Sequence, residues 1–281
     1  MTLPVRVVTD STTSVPPHLA ERLGIVVVPC IVRFGSETFR DGVDMSEEEF
    51  YRRLETDPIL PSTSQPPSGA FEEVYRRLVA AGNSVVSVHT ASTLSGILNS
   101  AHAGAVAVSD AQIELVDSLN TTLAAGWLAI AAAEAAQAGK PLKEVVEGTR
   151  NMVPRTRLFA ALDTLEYLRK GGRISWAAAF LGNLLQIKPI LELRDGILSL
   201  RERPRTFRRA LTRVAELVKE LGPLEHLGVI HARSPASAAE LADLLGDIYP
   251  REKILITEAS TSLASHAGPG AVGAAAVLAQ G

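Results

Sequence analysis

Four short clusters of hydroxyls and glycines, far apart in the chain, are the parts of this sequence best suited to hold a small polar group. They read Thr9-Asp10-Ser11-Thr12, Pro61-Ser62-Thr63-Ser64-Gln65-Pro66, Ser92-Thr93-Leu94-Ser95-Gly96 and His266-Ala267-Gly268-Pro269-Gly270. Each lies where an apolar, strand-like run ends or a helix-like run begins. Helix starts carry unpaired backbone N–H groups and the positive end of the helix dipole, so they attract anions. Converging in an α/β fold, such clusters would hold one anionic head, a carboxylate or phosphate, through neutral donors. No metal set competes: His18, His89, His102, His226 and His231 lack zinc-ligand spacing and read as structural or surface residues.

Each residue also has a plainer reading. Thr63 and Ser95 can cap helices, as loop hydroxyls do. Asp10, alone in a turn after a strand, fits a cap or a loop-orienting role better than a ligand role. His266 gains weight from Gly268-Pro269-Gly270, where backbone can approach a ligand closely. Ser95 and His266 together also fit, by residue type, a serine-type acyl hydrolase or transferase. That alternative lacks a Gly-x-Ser-x-Gly elbow, and spacing marks no third acid. A nucleotide enzyme is poorly served, because the first turn has neither a Gly-x-Gly-x-x-Gly nor a Walker loop.

The elements that must position these clusters alternate in the first half. Strand-like runs at 5–8, 25–32, 85–88 and 113–116 are interleaved with helical segments at 17–23, 47–54, 69–81, 94–108, 121–138 and 141–153. Ser46 followed by Glu47-Glu48-Glu49 reads as a capping box. Ser68 reads as the cap of the helix over 69–81. Residues 58–67, rich in proline and hydroxyls, are expected to hold no regular structure. The β-then-α order predicts a parallel sheet with helices on both faces, with ligands at the C-terminal strand ends. The clusters after 5–8 and 85–88, and Asp117-Ser118 after 113–116, fall at those ends. Near residue 157 the chain changes character, so two α/β domains are expected, 1–157 and 158–281, with the ligand in the cleft between them. The second would hold strands at 158–162, 227–231 and 253–257. It would also hold a hairpin of 187–193 with 196–200, helices at 164–169, 206–221 and 235–249, and, after the final glycine turn, a small-residue helix.

Bulk numbers narrow the function classes. At 281 residues and 46% hydrophobic, the chain can bury a large core. The net charge of −3 gives no drive toward nucleic acid, and the sequence holds no recognition module for it. Residues 1–155 carry 12 Lys/Arg against 18 Asp/Glu and residues 156–281 carry 16 against 13, so the second half is the side for an anionic partner. Six arginines, Arg201, Arg203, Arg205, Arg208, Arg209 and Arg213, form either a solvated face or a docking surface. The one cysteine, Cys30, fits a reducing cytosol and a buried site. The start of the chain has no secretory pattern, and the apolar run 123–133 is about half the ~20 residues a membrane span needs.

Taken in order, the clusters bring a resemblance into view. Besides the four above, the chain has Asp117-Ser118, Leu165-Glu166-Tyr167-Leu168-Arg169-Lys170-Gly171-Gly172-Arg173-Ile174 and Lys188-Pro189-Ile190. The whole series resembles the DegV family of bacterial fatty-acid-binding proteins, which includes the binding subunits of fatty acid kinase. The resemblance implies two α/β domains with a long acyl chain, such as palmitate, buried between them, and no catalysis, metal or cofactor. It implies that Thr63, Ser95 and His266 hold the carboxylate, supported by loops at Ser64, Gly96 and Gly268. It further implies a cytoplasmic role in lipid transport or fatty acid metabolism. In that role a basic surface, here Arg173, Arg201, Arg203, Arg205 and Arg209, meets a kinase subunit and transiently a membrane. Ile97 and Ala124 depart from the usual family residues, a Thr and a Gly, and Thr122 replaces the usual Ser.

Overall fold

The computed structural model describes residues 3–109, 111–174 and 187–280. The first half runs β1 (Val5–Asp10), α1 (Pro17–Leu23), β2 (Val26–Val28), β3 (Ile31–Phe34), β4 (Glu37–Arg40), α2 (Glu47–Thr56), β5 (Ser62–Ser64), α3 (Ser68–Ala80), β6 (Ser84–His89), α4 (Ile97–Val106), β7 (Ile113–Asp117), α5 (Thr122–Gln137) and α6 (Leu142–Met152). Strands β2-β1-β6-β7 form the expected parallel sheet. Alternate residues face opposite ways along a strand, so both faces are apolar. Val5, Val7, Val86 and Val88 join the core beneath α1, α5 and α6, while Val8 and Val85 pack with Phe71, Tyr75 and Ile97 of α3 and α4. Ser46 caps α2 as its spacing predicts, accepting from the Glu49 N–H at 3.2 Å.

A second, antiparallel sheet of order β4-β3-β5 was not anticipated. Its strand β5 corrects the expectation that 58–67 is irregular. The prolines at 58, 61, 66 and 67 flank the three paired residues, and an edge strand tolerates such neighbours. Thr63 thereby stands opposite Val32 in a fixed register. Ser68 does not cap α3 either: it is the first helical residue, behind Pro67, and makes no capping bond.

The second half runs β8 (Thr156–Ala161), α7 (Glu166–Lys170), β9 (Ile190–Arg194), β10 (Ile197–Glu202), α8 (Phe207–Lys219), β11 (Leu224–His231), α9 (Pro235–Leu245), β12 (Leu255–Glu258), α10 (Thr261–Ala267) and β13 (Val272–Leu278). These strands make one sheet, β10-β9-β8-β13-β11-β12, antiparallel except between β11 and β12. The hairpin turns on Asp195-Gly196, both with positive φ (51° and 77°), as a two-residue loop of this hand requires. The small-residue helix expected at the C-terminus is instead the buried strand β13, between β8 and β11. Alanine is the best helix former, but intrinsic propensity is a weak preference that tertiary packing overrides. Small side chains let layers approach on both faces, and at Gly273 a Cβ would lie 2.8 Å from the Phe159 carbonyl.

Helix α5, apolar around its whole circumference over 123–133, lies between the two large sheets. Its Trp127 indole donates to the Ala275 carbonyl of β13 at 3.3 Å, and Leu123 fills the space left by Gly228 of β11. One buried core therefore runs across both halves, from Val5 and Val88 to Leu193 and Ala275. Among the described residues no helix is long and apolar enough to cross a membrane.

Candidate ligand-binding site

Between the sheets lies a cavity of about 1120 Å³, counting open solvent at its edge. Much of its wall is apolar: Leu158, Leu162, Leu191, Leu193 and Ile230 come from the second sheet and its connections, and Leu94 and Ile97 from the first half. Cys30, buried as expected, also lines it. Burial pushes the Cys30 thiol well up, and the carboxylates of Asp10 and Asp41 push the same way.

On this wall the fold brings three expected residues to one cavity. Thr63 and His266, 203 positions apart, are hydrogen-bonded, Oγ1 to Nε2, at 2.7 Å. Ser95 lines the same cavity, and among the described residues no group pairs with its hydroxyl. The turn holding Ser95 precedes α4, which starts at Ile97 and not at 94 as expected. Gly96 occupies the N-cap position without a side-chain cap, so the first N–H groups of α4 have no side-chain partner. Ser64 also lines the cavity. Gly96 and Gly268 act by lacking a side chain. A Cβ on Gly96 would lie 2.9 Å from the Gln65 amide, and one on Gly268 (φ +77°) would enter the Tyr167 ring at 2.4 Å.

His266 is held neutral. Burial first, and then the positive charge of Arg173, push it down to about 4. Its Nδ1 is buried, has no partner among the described residues, and faces Gly171, where a Cβ would lie 2.3 Å away. A buried N–H without an acceptor is rarer than an unmatched lone pair, which assigns the proton to Nε2. The Nε2–H then donates to Thr63, whose own O–H is left to point at a ligand. Arg173, expected on the basic surface, is exposed and also lines the cavity, and its guanidinium donates to the Gly171 carbonyl at 2.6 Å. The tandem Gly171-Gly172-Arg173 was the sequence signal for this part of the site.

Helix α10, which carries His266, is fixed at its start by Asp41. That buried carboxylate accepts from the Thr261 N–H (3.0 Å) and hydroxyl (2.7 Å) and from Ser11 at 2.7 Å. Nothing in the sequence had marked Asp41. His231, read as structural, lines the cavity and pairs with Glu258 at 2.8 Å. Tyr51 of α2 donates to that same Glu258 at 3.0 Å.

The clusters at the parallel strand ends are placed as predicted but differ in chemistry. Thr12, Thr90, Thr121 and Thr122 all line the cavity. Asp10, fully buried beside them, accepts through Oδ1 from the Thr12 N–H (3.1 Å) and the Thr12 hydroxyl, and through Oδ2 from the Thr90 N–H at 3.2 Å and His89 Nδ1 at 3.0 Å. His89 Nε2 meets Ser87 at 2.7 Å, and Ser87 meets the Tyr75 hydroxyl at 2.8 Å. Asp117 likewise ties down the Ser92 loop, accepting from its hydroxyl at 2.6 Å. These carboxylates organise loops, as read for Asp10, and offer an anion nothing.

The remaining arginines sit on and after β10 and at the start of α8. Arg201, Arg203, Arg205 and Arg209 are exposed. Arg213 is held between Glu202 (2.6 Å) and Glu216. Among the described residues no group of three His, Cys, Asp or Glu could hold a metal ion.

Two large sheets around one mostly apolar cavity, with a neutral hydrogen-bonding cluster on its wall, define an α/β protein built about an interior cavity. The family model described as "Uncharacterised protein, DegV family" matches residues 4–279. The chain is 33% identical over 273 residues to Protein DegV of Bacillus subtilis, spanning 96% of this chain and 97% of that one. The chain belongs to the DegV family. Solved structures agree. A DegV family protein from Thermus thermophilus, described for its fatty acid binding, has a TM-score of 0.90 at 29% identity, covering 99% of this chain and 100% of that chain. DegV of Bacillus subtilis, described as a fatty acid binding protein, has a TM-score of 0.87 at 31% identity, with the same coverage.

Proposed function

We propose that this protein binds a long-chain fatty acid such as palmitate in the cavity, with its carboxylate at Thr63, Ser95 and His266. The observation that carries the reading is the Thr63–His266 pair with a Ser95 hydroxyl unengaged among the described residues, on the wall of a cavity lined in large part by leucines and isoleucines. The fatty acid binding described for the Thermus thermophilus and Bacillus subtilis relatives supports it. Thr63 and Ser95 supply hydroxyl donors, the uncapped start of α4 supplies N–H groups, and Arg173 adds positive charge. Each methylene buried against the leucines contributes about 0.8 kcal/mol, so fourteen supply on the order of 10 kcal/mol before ordering costs.

The reading includes no catalysis and no cofactor. A serine hydrolase using Ser95 and His266 needs a base whose second nitrogen is oriented by an acid. Here Nε2 is committed to Thr63, and among the described residues Nδ1 has no acid beside it. Residues 1–157 and 158–281 are taken as the two lobes about the cavity, with Ser64, Gly96 and Gly268 shaping the loops at the head group. The exposed Arg201, Arg203, Arg205 and Arg209 are assigned to a partner surface, for a fatty acid kinase subunit or a transient membrane contact in the cytoplasm. Arg173 belongs with the head-group site.

Native mass spectrometry of the purified protein tests the reading. One long acyl chain, released by organic extraction and restored by palmitate, is expected. A protein that stays ligand-free after palmitate is added would overturn it, and fluorophosphonate labelling of Ser95 would revive the hydrolase.

A further inference from the structure

Thr12, Thr90 and Thr121 line the cavity as a connected row, and the row has a direction. A hydroxyl has one hydrogen to give. Thr12 gives its hydrogen to Asp10 Oδ1. The 2.5 Å contact between Thr12 and Thr90 must therefore be donated by Thr90. With the Thr90 hydrogen committed, the longer 3.4 Å contact between Thr90 and Thr121 has only the Thr121 hydrogen to bridge it. The Thr12 and Thr90 hydrogens thus point back toward the buried carboxylate, and Thr121 continues the row through a long contact. What Thr12 and Thr90 leave for the cavity is lone pairs alone.

Such a wall discriminates sharply. It gives a carboxylate no donor, which sends the acid's head to Thr63 and Ser95. It matches a group that donates. In an apolar cavity, a hydroxyl on the acyl chain loses water and finds no partner unless an acceptor is built for it. We propose that this threonine row is a subsite for a hydrogen-bond donor on the ligand's chain, so that the protein takes monohydroxylated long-chain acids with the hydroxyl on Thr12, Thr90 or Thr121. The proposal rests on the reading of the cavity as a fatty acid site.

The test measures the affinity of stearate and of a set of monohydroxystearates differing in hydroxyl position. It uses the wild-type chain, Thr90→Val and Thr121→Val. Thr121 makes no capping bond to α5, so its replacement removes the hydroxyl without uncapping the helix. One positional isomer is expected to match or exceed stearate on the wild-type protein, while the others bind roughly 5–100-fold more weakly, as an unpaired buried hydroxyl dictates. The ratio of that isomer's affinity to that of stearate is expected to fall about 10-fold in both variants. Uniformly weaker binding of every isomer, or a preference unchanged in the variants, overturns the subsite while stearate binding leaves the fatty acid reading intact. Failure of stearate itself to bind overturns both.

Discussion

The cavity has two polar regions made of the same residue types, and they differ in what the fold has already done with their hydrogens. Around Asp10 the carboxylate accepts from four groups, and threonine, serine, tyrosine and histidine side chains are paired in sequence. Around His266 the Thr63 hydroxyl accepts from Nε2 and keeps its own hydrogen, and among the described residues the Ser95 hydroxyl is unengaged. The first region has committed its hydrogens within the fold, holds strand ends together, and has no donor left for an anion. The second is complete only when something brings acceptors to it. Uncommitted donors, and not the presence of hydroxyls, therefore mark the place for an anionic head.

Removing Asp10 is the hardest test of that difference. Asp10→Ala strands two backbone N–H groups, a hydroxyl and an imidazole in a fully buried place. The expected loss is about 3–5 kcal/mol of unfolding free energy, read from urea denaturation. A loss below about 1 kcal/mol would make this region no more structural than a surface pair. Asp41→Ala should come next, at about 2–3 kcal/mol, because it frees the start of α10 from the Ser11 turn. It should also weaken palmitate binding, since α10 carries His266. Unchanged affinity would show that His266 is placed by its other neighbours, Gly171 and Tyr167.

Substitutions at the second region should do the reverse. Thr63→Ala and Ser95→Ala are each expected to cost about 1–3 kcal/mol of palmitate affinity, as for hydrogen bonds to a charged group. Their folding stability should stay within about 0.5 kcal/mol of the parent. Because His266 donates to Thr63, a double-mutant cycle of Thr63→Ala with His266→Gln should show coupling of about 1 kcal/mol. Additive losses would mean that the two residues act on the carboxylate separately.

The sequence made the first sheet legible because its signals are local. The valine runs, the glutamates after Ser46 and the order of strands and helices each follow from neighbours a few residues apart. Thr63, Ser95 and His266, and their meeting at one head group, were legible only through the family resemblance; the strand that carries Thr63 was not, since β5 was hidden among prolines. Strand β13 was misread because an alanine run says helix until two packed layers surround it. Asp41 and the direction of the Thr12–Thr90–Thr121 row were out of reach. Both depend on which of several identical donors meets which acceptor across more than seventy positions, and no periodicity encodes that.

Protonation gives the smallest effect and the finest probe of the contrast. His266 in the free protein is pushed down to about 4, from an ordinary value of 6.5. A histidine whose folded value is depressed contributes stability that is fully present above its unfolded value near 6.5. That contribution is lost as pH falls from there to about 4, where the folded chain also takes the proton. Unfolding free energy should therefore decline across that window, less steeply in His266→Gln. A bound carboxylate acts oppositely, since a nearby negative charge favours imidazolium. The His266 Cε1–H resonance should thus titrate near 4 in the free protein and at distinctly higher pH with palmitate bound. A midpoint that palmitate leaves in place would put the carboxylate out of reach of His266, and the acid's head would then belong to Ser95 and the start of α4 alone.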